Sequence, residues 1–236
     1  MLSSAPNTRR GHSYFRHGRG ARPRRRLDRQ RHSANVGAVT HEQLEARTVY
    51  RPGDLVEATP GLIVSQHSGE GKANQFYLRG INLDHGTDLR TTVDGMLVNQ
   101  RSHSHGQGWT DLNFLIPELA TGLQYRKGPY YAAEGDFASA GSVSVGYADK
   151  LPQGIAEFGV GSNGFRRALV ADSPKAGDGH LLYALELLHN DGPFVNPDDY
   201  RKINRVLRYT LRMALMSPRW PTKLNGMPPT KSPNAP

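Results

Sequence analysis

His103-Ser104-His105 places two imidazoles at i and i+2, on one side of an extended chain, and His85 supplies a third upstream. Imidazole nitrogens are common transition-metal ligands, so the three could hold an ion. No carboxylate or further histidine follows at a fixed ligand spacing. Polar loop histidines are therefore the simpler reading, and the sequence assigns no metal site. Loop histidines can also meet an incoming ligand without holding a structural metal. Gly159-Val160-Gly161-Ser162-Asn163-Gly164 matches the dinucleotide fingerprint G-x-G-x-x-G. That fingerprint needs a helix next and an acid about 20 residues on. Pro174 follows too soon for a crossover helix, so a Gly-rich hairpin is predicted. Asp54/Glu57 and Asp198/Asp199 are paired acids without a partner base, which general acid–base chemistry requires. The chain has no Cys, which removes disulfides, thiolate metal sites and Cys nucleophiles. No nucleophile elbow, phosphate loop or zinc-protease helix is present. The expectation is no enzyme, no catalytic residue and no cofactor.

The elements that must carry these residues fall into three compositional zones. The formal net charge of +9 is unevenly spread. Residues 1–35 hold ten Arg and one acid, and residues 212–236 hold four basic residues and no acid. The stretch between them is mildly acidic, so the overall charge describes the ends only. Residues 1–37 read as a basic disordered segment, because almost no aliphatic side chains are there to offset chain entropy. A nucleic-acid arm is the alternative, but Arg runs without aromatic interleaving are unspecific, and no nucleic-acid partner is assigned. Residues 212–236 hold six of the 16 Pro and read as a tail. The longest uncharged stretches, 58–69 and 137–148, are 12 residues each, below the ~18 that a membrane-crossing helix needs. The first 35 residues show no apolar core of a signal peptide.

Residues 38–150 read as a compact α+β domain. Thr40 with Gln43 three residues on is a capping-box pattern. Arg51–Ala58 predicts a short helix, stopped by Pro60-Gly61. Leu62–Ser65, Asn74–Arg79, Leu123–Lys127 and Ser142–Tyr147 predict strands. Thr91–Val98 is two β-prone runs joined at Asp94-Gly95, the dipeptide of a type I′ hairpin. Asp111 is expected to cap a short apolar helix over Leu112–Leu115. Residues 151–211 change period. Gly154–Ser162, Arg166–Ser173, Gly179–Asn190 and Ile203–Leu211 are candidate strands of about ten residues, separated by turn signals. In the third, Tyr183, Leu185 and Leu187 share one face, while Ala184, Glu186 and Leu188 share the other. A soluble meander gives the same alternation.

Taken in order, the central elements resemble the plug domain of TonB-dependent outer-membrane receptors. The matching runs are Arg51-Pro52-Gly53-Asp54-Leu55, Pro60-Gly61-Leu62-Ile63-Val64, and Phe76-Tyr77-Leu78-Arg79-Gly80. Val93-Asp94-Gly95-Met96-Leu97-Val98-Asn99, Asp111-Leu112-Asn113 and Tyr125-Arg126-Lys127-Gly128-Pro129 follow. The resemblance covers about 38–150 and continues less specifically to Leu211. It implies a plug followed by the first strands of a 22-stranded outer-membrane barrel. It also implies uptake of a ferric siderophore or other scarce solute, and a TonB energy-coupling protein as partner. In such receptors the outward loops face the solute. Here loops 82–88 and 100–110 offer His85, His103, His105, Gln107 and Trp109 as ligand-binding residues.

The chain departs from the resemblance at both ends. No coupling box is recognisable before the plug, and the likeness stops abruptly after Leu211. The expectation is a truncated or frameshifted receptor gene, whose product would be non-functional and remain in the cytoplasm. The competing reading is a soluble plug-like ligand-binding or signalling module.

Overall fold

The computed structural model describes residues 35–66 and 69–211. The tail expected over 212–236 and nearly all of the basic segment expected over 1–37 lie outside them. Strand β1 (Val36–Thr40) already begins within the latter. Thr40 then caps a five-residue helix α1 (His41–Glu45): its hydroxyl accepts from the Gln43 amide, and the Gln43 side chain accepts from the Thr40 amide. A 3₁₀ helix covers Pro52–Ala58, with Pro at its start, where the missing N–H costs nothing. The mixed class expected from the sequence holds, with strand far outweighing helix.

A three-stranded sheet follows, built from β2 (Leu62–Ser65), β3 (Gln75–Leu78) and β4 (Ile81–Asn82), all antiparallel. The larger sheet combines β1, β5 (Leu89–Val93), β6 (Met96–Leu97), β7 (Ala120–Lys127) and β8 (Gly141–Tyr147), in the order β1-β7-β8-β5-β6. Only β5 and β8 run parallel. Asp94 and Gly95 both take positive φ, +51° and +77°, so the β5–β6 connection is the type I′ turn that this dipeptide favours. Leu55, Phe76, Leu83, Leu89, Leu112 and Val145 are among the fully buried side chains joining the two sheets in one core.

The helix expected at Leu112–Leu115 does not form. The Asp111 carboxylate accepts the Asn113 amide at 2.8 Å, making an Asx turn instead. Four residues cannot meet the cost of helix nucleation, and Pro117 biases Ile116 away from the helical region. Irregular backbone lets Leu112 and Leu115 enter the main core while Ile116 enters a second one.

The remaining strands form an antiparallel meander, β9 (Ile155–Val160), β10 (Arg166–Asp172), β12 (Gly179–Asn190) and β13 (Tyr200–Leu211), with β11 (Lys175–Ala176) in one turn. The Gly159–Gly164 stretch is the end of β9 and its hairpin turn, not a phosphate loop. One face of the meander carries Leu169, Ala171, Leu182 and Ala184 against Ile116 and Leu119. The opposite face exposes Phe158, Val160, Val170, Leu185, Leu187, Ile203, Leu207 and Tyr209. No helix among the described residues is long and apolar enough to cross a membrane.

Candidate functional site

Loops 82–88 and 100–110 meet because two glycines remove a side chain where they touch. Gly86 (φ +116°) lies against Thr110, where a Cβ would collide with the hydroxyl. Gly108 (φ +76°) would put a Cβ 2.8 Å from the Thr87 Cα. Asn99, buried just before the second loop, staples both. Its Oδ1 accepts the Thr91 amide at 2.7 Å, and its Nδ2 lies within 3.1 Å of the Gly86, Leu89 and Gly108 carbonyls. The Thr110 amide donates to the His85 carbonyl at 2.8 Å, and Gln100 bridges to Trp109.

This closure gathers four of the five residues expected to bind ligand. Trp109 is the buried floor. His103 stacks on it, with ring centroids 4.2 Å apart and planes within 13°. His85 and His105 flank it at 4.5 and 5.1 Å, and their own centroids are 4.6 Å apart. His103 Nδ1 accepts the His105 amide, fixing the turn between them. Gln107 is exposed, and only its backbone is engaged, accepting from the Thr87 hydroxyl.

His85 is buried, and its Nδ1–H donates to the Ala73 and Asn74 carbonyls, each at 3.0 Å. Burial pushes its imidazole below the ordinary value of 6.5, against the opposing effects of the Asn74 bond and the Asp84 carboxylate. Its Nε2 lies 3.7 Å from Asp84 Oδ1. Sequence reading missed Asp84 and Asn99 as parts of the site. Asp84 adjoins His85 in the chain, but its role depends on a left-handed φ of +50° and an Asx turn at Asn82.

The paired acids are structural. Asp54 caps the Arg51 amide, and Glu57 accepts the Val64 amide. Lys127, in the Tyr125–Pro129 run, buries its amine against the Pro60 carbonyl, 3.2 Å away.

Residues 28–142 match the family model described as TonB-dependent Receptor Plug Domain. Residues 28–142 are a TonB-dependent receptor plug domain. Two solved structures share the fold. The siderophore receptor PirA from Acinetobacter baumannii is 21% identical with a TM-score of 0.50, over 67% of this chain and 25% of that one. The copper transporter OprC is 19% identical with a TM-score of 0.51, over 67% of this chain and 24% of that one. The chain thus spans about a quarter of the length of these proteins. Plug domains of this family are not enzymes.

The plug is fixed to the meander by a charged network. Glu118 receives both Arg167 Nη atoms, at 2.7 and 2.9 Å. Arg167 Nε reaches Glu186 at 2.7 Å, and Lys202 and Asn204 complete the Glu186 shell at 3.1 and 2.9 Å. Asn204 also donates to the Asn113 carbonyl of the plug. Nearer the other end of β13, Arg208 pairs with Asp94 of the plug hairpin.

Proposed function

We propose that this chain is the ligand-receiving part of an outer-membrane receptor that imports a scarce solute with energy from a TonB partner. Residues 38–150 form the plug and residues 151–211 the first strands of its barrel. His85, His103, His105, Gln107 and Trp109 contact the solute. The observation that carries this reading is a shared loop. Segment 69–74 supplies the carbonyls that hold His85, and it also grips the β12–β13 connection. The Glu70 amide donates to Asp198, and Asn190 donates to Glu70. That connection, 191–199, is the longest in the meander. Outer-membrane barrels keep their longer loops outside and their short turns on the periplasmic side. The histidine–tryptophan cluster therefore sits at the outward end, and the Asp94-Gly95 turn at the inward end. The exposed apolar face suits hydrocarbon, and the charged inner face suits a plugged lumen. A siderophore or metal substrate agrees with the names of the fold neighbours, a siderophore receptor and a copper transporter.

The test is a titration of ferric siderophores against the full chain in detergent, with indole fluorescence as readout and Trp109→Phe identifying the signal. Saturable quenching that weakens in a His103→Ala/His105→Ala double variant is expected. Unchanged affinity in that variant overturns the site. A chain that stays monodisperse without detergent favours the soluble-module reading instead.

A further inference from the structure

We infer that the cleft between the plug and the meander, at the Phe165 and Tyr200 end of the strands, is a binding site for a small neutral saccharide. The site is separate from the histidine–tryptophan cluster, and the inference goes beyond the reading given above.

The cleft has a volume of about 200 Å³. A drug-sized pocket holds roughly 300–1,000 Å³, so this one has room for a single sugar ring. The plug lines it with Arg51, Glu70 and Asn113, and the meander with Phe165, Tyr200 and Lys202. Tyr200 lies opposite Asn190 in the β12–β13 register, and Lys202 lies opposite Leu188. Alternation along β13 places Tyr200 and Lys202 on the face turned to the plug. Gly71 seats the Tyr200 ring, since a Cβ there would lie 2.6 Å from the ring edge.

The polar groups of the lining hold unused capacity of both kinds. The Tyr200 hydroxyl has no hydrogen-bond partner among the described residues. Asn113 spends its Nδ2 on Asp111 and the Lys72 carbonyl, which leaves its Oδ1 as an acceptor. Glu70 receives Asn190 on one oxygen, at 3.0 Å, and has a second to offer. A hydroxyl donates and accepts at once, so a ring carrying several of them matches donors and acceptors set side by side. Charge points the same way. Arg51 has no ion-pair partner among the described residues and disfavours a cation, while Glu70 disfavours an anion. Lys202 is already held by Glu186 at 3.1 Å. Phe165 and the Tyr200 ring supply apolar walls for the C–H faces of the sugar, with the few polar groups left to orient it. Because plug and strands share the lining, a bound sugar stabilises their contact by mass action.

The experiment is saturation-transfer NMR on the full chain in lauryldimethylamine oxide, a detergent without a sugar headgroup. The neutral probes are the methyl glycosides of glucose, galactose and mannose. Glucosamine, glucuronate and serine are the cationic, anionic and zwitterionic comparisons. At least one neutral glycoside is expected to give saturable transfer and to raise the urea midpoint. Tyr200→Phe keeps the ring and removes only the hydroxyl, and is expected to weaken binding by about fivefold or more. Arg51→Met should weaken it likewise, and its midpoint without sugar shows that the variant folds. Tyr130→Phe, at an exposed tyrosine outside the cleft, should leave binding unchanged. No saturable transfer from any neutral glycoside up to about 0.1 M overturns the assignment. So does unchanged affinity in both Tyr200→Phe and Arg51→Met, or tighter binding of a charged or zwitterionic probe. Ferric-siderophore quenching through Trp109 reports on the other site, so either result stands without the other.

Discussion

Asn99 shows how one side chain organises a site it does not enter. Four backbone groups from three segments converge on its amide, and all are shielded from water. Removing the amide strands those groups, at a cost of about 1–3 kcal/mol for each one left unsatisfied. Asn99→Ala is expected to lower stability by roughly 2–4 kcal/mol, allowing for partial rescue by water. The check is a urea midpoint on the full chain in detergent, followed through Trp109. Loss of the near-UV signal of Trp109 should accompany it, because loops 82–88 and 100–110 lose their common staple. An unshifted midpoint would remove Asn99 from this role.

Among the elements, the β5–β6 hairpin is the most sharply specified by local chemistry. Asp94 and Gly95 both occupy the left-handed region, and nothing stands within 4 Å of a Cβ added to Gly95. The penalty for substitution there is purely one of backbone conformation. Gly95→Val is expected to cost about 1–2 kcal/mol, since a β-branched residue resists positive φ, while Gly95→Asn should cost much less. Equal midpoints for the two variants in a denaturation series would contradict the assignment. The turn also matters beyond itself. Asp94 accepts the Tyr147 amide at 2.8 Å and pairs with Arg208, so one turn ties β5, β8 and β13 together.

At the scale of the whole molecule, the plug is held against the strands by charge as much as by apolar contact. Glu186 is 1% exposed and survives there because Arg167, Lys202 and Asn204 surround it. Breaking a buried ionic network by deleting one partner costs more than the network contributes, because it leaves uncompensated charge. Arg167→Met is expected to destabilise the plug–strand contact by about 3–5 kcal/mol. Adding Glu118→Leu should recover part of that loss, since one stranded carboxylate is then gone. Denaturation in detergent micelles measures both. If the single variant keeps wild-type stability, the Arg167 network does not seat the plug, and the apolar contacts of Ile116 and Leu119 do so together with the Arg208–Asp94 pair.

The sequence by itself determined the parts set by neighbours along the chain. Thr40 with Gln43 made a cap, Asp94-Gly95 made a turn, and strict alternation in Gly179–Asn190 separated Tyr183, Leu185 and Leu187 from Ala184 and Glu186. Each depends on φ/ψ preference or a period of two, which neighbouring residues encode. The ordered runs from Arg51 to Pro129 likewise carried the family resemblance. Tertiary structure decided the rest. Leu112–Leu115 looked helical in isolation, yet seating Leu112 and Leu115 in one core and the adjoining Ile116 in another required irregular backbone. The three histidines were visible as loop residues, but neither their approach nor the entry of Asp84 was written in their spacing. That approach depends on Gly86 and Gly108 letting two backbones touch, and on Asn99 bonding across segments distant in the chain. Such contacts form only when the core brings the segments together, because no local preference rewards them beforehand.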